Sequence, residues 1–250
     1  MSLVVARNEL RRMFAQPLAW ALLAAVLGLL AYFFLLSLEA FLVLMPKLAG
    51  IAAAPGVGDL VALPLLRAIA SLLLLIVPLL GMRAIAGERQ SNTLPLLLAS
   101  GVGDSRIVLG KFLALCLFFA LLIALALAMP LSLDIGTTLD LGRLGAGALG
   151  LTLFASALAA LALCASSYAQ QPTVAAIVAL ALNLVLWMLD AGARFEGMTS
   201  SFINYVALPT HLEPFLHGIV ASVDIVYFAL LMAVALTLAT RRLGTIRTHA

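Results

Sequence analysis

The sequence predicts an all-α polytopic membrane protein, and three observations carry that prediction. Hydrophobic residues make up 65% of the chain, charged residues only 10%, and the mean hydropathy is +1.21. Soluble domains average about 45–50% apolar and about 25% charged. Apolar runs near the length a helix needs to cross a hydrocarbon core of roughly 30 Å recur six times, at 18–43, 62–86, 107–131, 144–167, 173–190 and 224–241. Between these runs no segment is long enough to bury a core of its own, so residues 1–250 read as a single transmembrane domain.

Ahead of the first run, Leu3, Ala6, Leu10, Met13 and Phe14 fall on one helical face, and Arg7, Asn8, Arg11 and Arg12 on the other. That polarity predicts an amphipathic elbow helix over residues 1–17, lying on the membrane and ended by Pro17. The apolar core of a secretory signal is about 7–15 residues; the run from Leu18 to Leu38 is longer and reads as a retained span. Pro78 and Pro130 interrupt local backbone bonding inside the second and third spans. The fourth span carries Gly145, Gly147, Gly150, Ala155, Ser156, Ala159 and Ala160. Small residues let membrane helices approach closely, which makes this span a central packing helix. Cys116 and Cys164 lie inside apolar runs and read as small buried hydrophobes. Residues 191–223 mix Phe202, Tyr205, Phe215 and Leu216 with His211, Glu213 and His217, a pattern of short helices dipping into the outer leaflet.

Basic residues set the topology. With the N-terminus inside, six spans return the C-terminus inside. Ten of the 14 Lys and Arg residues then lie inside: Arg7, Arg11, Arg12, Arg83, Arg89, Arg106, Lys111, Arg241, Arg242 and Arg247. Lys47, Arg67, Arg143 and Arg194 lie outside. The positive-inside rule therefore predicts both termini in the cytoplasm. It also explains the pI near 9.2 without a nucleic-acid partner.

No catalytic constellation is visible. The histidines (His211, His217, His249) lie outside the apolar runs, and neither a G-x-S-x-G elbow nor a G-x-x-x-x-G-K-S/T phosphate loop occurs. The chain is not expected to be an enzyme or to bind a metal or nucleotide itself. Ionisable residues near the span midplanes are also missing, so no ion relay is predicted and the energy source is expected to be external.

The most informative segment is 87–112, GERQSNTLPLLLASGVGDSRIVLGKF, a polar and cationic stretch between spans two and three. Asn92 or Thr93 can cap a short helix with Pro95 in its first turn, and Gly101 and Gly103 permit its stop. Its leucines suit either a groove on a soluble partner or a bed of lipid headgroups.

This segment resembles the type-2 ABC exporter permeases, and within them the gliding-motility-type branch. The residues that carry the likeness are Gly87, Glu88, Arg89, Thr93, Leu94, Leu96, Leu97, Leu98 and then Ile107, Val108, Leu109, Gly110, Lys111. Asn92, Pro95 and Gly101 depart from it, standing where that family favours glycine, glutamate and proline. Ala165-Ser166-Ser167 with Gln171 is similar to the family's serine-rich turn. His211-Leu212-Glu213-Pro214-Phe215, Gly218-Ile219-Val220 and Asp224 to Phe228 are similar to its outer segment and last span.

The resemblance implies a bacterial inner-membrane permease with a coupling helix seated on a separate ATPase subunit, which would hold ATP and Mg. Glu88, Arg89, Thr93, Leu94, Leu97 and Leu98 would make that contact. Arg7, Arg11, Arg12 and Phe14 would form the elbow at the membrane surface. His211, Glu213, Phe215 and His217 would serve an outer partner or gate. A second permease chain, identical or related, would complete the assembly, and its work would be export. The alternative is a mechanotransmitter that acts on an extracytoplasmic protein and moves no solute.

Overall fold

A computed structural model describes residues 2–48, 56–94, 102–135, 139–196 and 205–249. Among these residues the chain is helical and contains no strand. The helices are α1 (Ser2–Ala15), α2 (Pro17–Leu48), α3 (Leu63–Gly81), α4 (Ala86–Gln90), α5 (Asp104–Leu131), α6 (Leu141–Tyr168), α7 (Pro172–Glu196), α8 (Leu208–Leu216) and α9 (Ser222–His249). A π turn at Gly58–Ala62 leads into α3, and a 3-10 turn at Ser132–Ile135 follows α5. Six of these helices, α2, α3, α5, α6, α7 and α9, are long and apolar enough to cross a membrane. The protein is an all-α polytopic membrane protein.

Local chemistry sets several of the helix ends. Pro17 and Pro172 stand first in α2 and α7, where the missing N–H costs no hydrogen bond. Asp140 caps α6 by accepting from the Arg143 N–H at 3.1 Å. Only Gln16 separates α1 from α2, and Trp20 Nε1 donates to the Phe14 carbonyl at 2.8 Å across that break. Pro130 sits in the last turn of α5, close to its end rather than within its length. Where the hydropathy runs to residue 86, α3 stops at Gly81 and the chain turns before α4.

The packing is centred on α6, which touches α3, α5, α7, α8 and α9. In α3 and α6, 61% of the apolar stretch is buried, against 22% in α2, 17% in α7 and 22% in α9. The first two are therefore interior, and the last three present broad faces such as Tyr32, Phe33, Ile177, Val185 and Leu230 outward. Small residues set the approach of α3 to α6. A Cβ on Gly81 would stand 2.6 Å from the Ala162 Cβ, and one on Gly147 would stand 2.9 Å from Leu66 Cδ1. These contacts lie at opposite ends of the pair, so the two helices are in close contact along most of their length.

The elbow behaves differently from the expectation. Its apolar face, rather than lying on lipid, packs against α5: Ala6 is buried and the Phe14 ring stands 5.7 Å from that of Phe118. Arg7, Arg11 and Arg12 remain exposed on the other face.

Candidate functional site

The turn between α3 and α5 is sewn to its neighbours by one serine. The Ser166 hydroxyl, near the end of α6, accepts from the backbone N–H of Ile85 at 3.1 Å and of Ala86 at 2.9 Å. It donates to the Met82 carbonyl at 2.9 Å, which uses its one donor and both lone pairs. Arg89 Nη1 donates to the Ala169 carbonyl at 3.0 Å, tying α4 to the linker before α7. Asn92 ends α4 in the left-handed region with φ 55°. Its N–H bonds to the Arg89 carbonyl while the Thr93 N–H bonds to that of Glu88. This paired closure of a helix end favours glycine or asparagine at the left-handed position.

Beneath the turn lies a buried group of charges. Lys111 Nζ, on α5, is 2.6 Å from both Glu9 Oε1 of α1 and Glu88 Oε1 of α4, and its side chain is 3% exposed. Arg12 approaches Glu88 at 3.6 Å. The second carboxylate oxygen of Glu88 is buried without a hydrogen-bond partner. Lys111, Glu9 and Glu88 thus join three helices in a largely buried site, and the exposed Arg12 at its rim brings the net charge to zero. A buried group of this kind stabilises little as a whole, but removing one member is costly.

Leu94 is 3% exposed and packs with Ile85, Ile107, Val108, Leu163 and Leu243 of its own chain. Glu88 is buried as well, so the exposed edge of the turn is Gln90, Ser91, Asn92 and Thr93. Leu97 and Leu98 lie outside the described residues. The end of α9 reaches the same region: Arg247 pairs with Asp104 at 2.9 Å and donates to the Val102 carbonyl at 2.7 Å. α1 and the end of α9 therefore both reach this end of the bundle.

At the opposite end, α8 is wedged between α3, α6 and α9. His211 is buried, with Nδ1 2.6 Å from Asp224 Oδ1 and Nε2 2.8 Å from the Tyr205 carbonyl, and its ring stacks on Tyr227 at 3.9 Å. Phe215 is fully buried against Gly150, where a Cβ would collide with it. Glu213 faces the other way and forms a two-pronged pair with Arg67 at 3.1 and 3.0 Å, with His217 3.6 Å away. Arg143 pairs with Asp59 at 2.6 Å and donates to the Leu216 carbonyl at 3.3 Å. The four outer residues singled out in the sequence are thus split into two sets, His211 with Phe215 and Glu213 with His217.

A family model described as ABC-2 family transporter protein matches residues 52–240. The chain belongs to the ABC-2 transporter family. It is a membrane component of an ABC transporter, a permease, and not itself the catalytic subunit. No curated protein matches the chain.

In this permease the family match covers the charged turn and the outer wedge but leaves out α1. Glu9 is the residue that sequence reasoning missed, and the signal was there. Ala6, Glu9 and Met13 stand at i, i+3 and i+7, so a carboxylate occupies the stripe that otherwise packs on α5. A charge on a buried stripe calls for a buried partner, and Lys111 is that partner.

Proposed function

We propose that this permease couples ATP hydrolysis by a separate ATPase subunit to export or outward work across the bacterial inner membrane, with both termini in the cytoplasm. The observation that carries the reading is the polar turn at residues 82–94, bonded at once to α1, α5, α6 and the linker before α7. A push on such a turn moves several helices together instead of bending one loop. ATP and Mg belong to the partner. The contact would run from Arg89 through the exposed Gln90–Thr93 edge to Leu97 and Leu98, with Leu94 and Glu88 anchoring that edge to the permease. A second permease chain, a copy or a relative, completes the assembly. The resemblance of residues 87–111 and 211–228 supports a branch of the gliding-motility type.

Transmission follows from α6. Its 28 residues span about 42 Å as a continuous helix. Ser166 holds the turn near one end, and Arg143 holds Asp59 and the Leu216 carbonyl at the other. Displacement of the turn therefore arrives at α8. For the cycle to do work, the two positions of this unit must differ in their affinity for the nucleotide-bound partner. The wedge also favours a second reading, in which the push is delivered to an extracytoplasmic protein seated on residues 205–224 and no solute crosses.

Affinity purification from the native membrane in mild detergent, followed by mass spectrometry, tests the proposal. A P-loop ATPase at one copy per permease chain is expected, and Leu97→Asp should release it while the permease still inserts and elutes normally. Recovery of the ATPase at full stoichiometry with Leu97→Asp and Leu98→Asp combined would remove the proposed contact. Accumulation of a solute outside separates export from the second reading.

A further inference from the structure

A cleft of about 420 Å³ opens beside the charged group, between α1, α2, α3 and α4. Its floor is buried and includes Lys111, Ala114 and Leu115; its mouth is exposed and includes Arg12, Arg83, Leu18 and Leu79. The volume is in the range of small-molecule sites, and its chemistry is split along one direction. Leu18 and Leu79 belong to helices that enter the membrane and are 43% and 48% exposed. Arg12 and Arg83 stand outside those helices, on α1 and in the turn after α3. An occupant must therefore be charged at one end and apolar at the other.

The charge arithmetic gives its sign. Arg12, Arg83 and Lys111 line the cleft against Glu9 and Glu88, leaving a net charge of +1. Lys111 is engaged by both carboxylates. Arg12 has only the 3.6 Å contact with Glu88, and Arg83 has no ion-pair partner among the described residues. Two exposed guanidiniums with donors to spare for phosphate oxygens, at the level where a bilayer carries its headgroups, are a recognition element for a phosphodiester.

We propose that this cleft binds an anionic phospholipid, with Arg12 and Arg83 on its phosphate and its acyl chains lying along Leu18 and Leu79. The lipid bridges α1 to the turn before α4 from the open side, opposite the bridge Lys111 makes from within. Occupancy thereby sets how firmly the elbow and the polar turn move as one body.

The test uses the purified permease chain alone, so its failure leaves the ATPase reading untouched. Phosphatidylglycerol and phosphatidylethanolamine are titrated separately into the detergent-solubilised protein, and occupancy is counted by native mass spectrometry. Phosphatidylglycerol is expected to bind preferentially, and Arg12→Gln with Arg83→Gln to weaken it roughly 25-fold, about fivefold for each lost basic contact. Arg12→Lys with Arg83→Lys keeps the charge but loses the fork, so its binding should fall between those of wild type and the Gln pair. Should the Gln pair fail to fold, Arg83→Gln alone carries the test with a fivefold expectation. Equal occupancy in wild type and variants overturns the proposal. So does tight binding of sn-glycerol 3-phosphate with no lipid retained, which would reassign the site to a soluble phosphate ester.

Discussion

Around Lys111 the consequence of a substitution depends on which charge it leaves behind. Lys111→Met strands Glu9 and Glu88 against a neutral side chain where its own surroundings are 97% closed to solvent. Breaking a buried pair from one side costs about 3–5 kcal/mol. A large drop in melting temperature in detergent is expected, partly restored when Glu88→Gln is added. An unchanged melting curve for Lys111→Met would mean that the amine is not buried as described. Arg67 and Glu213 form a better-aligned pair, yet their side chains are 50% and 40% exposed, so their contribution is at most about 1 kcal/mol. Geometry alone would have ranked the two pairs the other way.

At the scale of elements, the α3–α6 contact makes the sharpest demand. Gly81→Ala forces a Cβ to 2.6 Å from that of Ala162, and overpacking of a tight interior costs about 1–3 kcal/mol. The variant should melt lower, and Ala162→Gly in the same chain should recover most of the loss. If the double change is no better than the single one, the helices do not meet there. Elements are also where the limits of the sequence are plainest. The six apolar helices were legible because hydropathy sums over some 20 residues, so single exceptions do not matter. The polar turn was legible because its charges interrupt those sums. What escaped was which residue faces which. His211 was grouped with Glu213 and His217 by nearness in the chain, although residues two apart on a helix point in opposite directions. The i, i+4 pairs, His211 with Phe215 and Glu213 with His217, are the sets the structure forms. Leu94 escaped for another reason: a leucine in a polar loop looks the same whether a partner or its own chain covers it.

For the whole molecule, the six long apolar helices among the described residues and the arrival of α1 and the end of α9 at one end of the bundle make one statement about sidedness. Single cysteines at Gln90 and Thr245 should react with a membrane-impermeant maleimide from the same face, and one at Asp134 from the opposite face. If Asp134→Cys and Gln90→Cys label from the same side, α5 does not cross the membrane between them and the arrangement described fails. The expected sidedness rests on the distribution of basic residues, because translocation acts on short charged loops one at a time. It did not foretell the pairing of Glu9 with Lys111, 102 positions apart, since nothing local in either segment names the other.

That pairing has a practical consequence. The chain contains two lysines, Lys47 and Lys111. An amine 3% exposed and held between two carboxylates at 2.6 Å is closed to an acylating reagent. Only when α1 draws back does the amine become accessible from outside the bundle. The rate at which Lys111 is acylated is therefore a clock for elbow release, readable peptide by peptide without an engineered reporter residue.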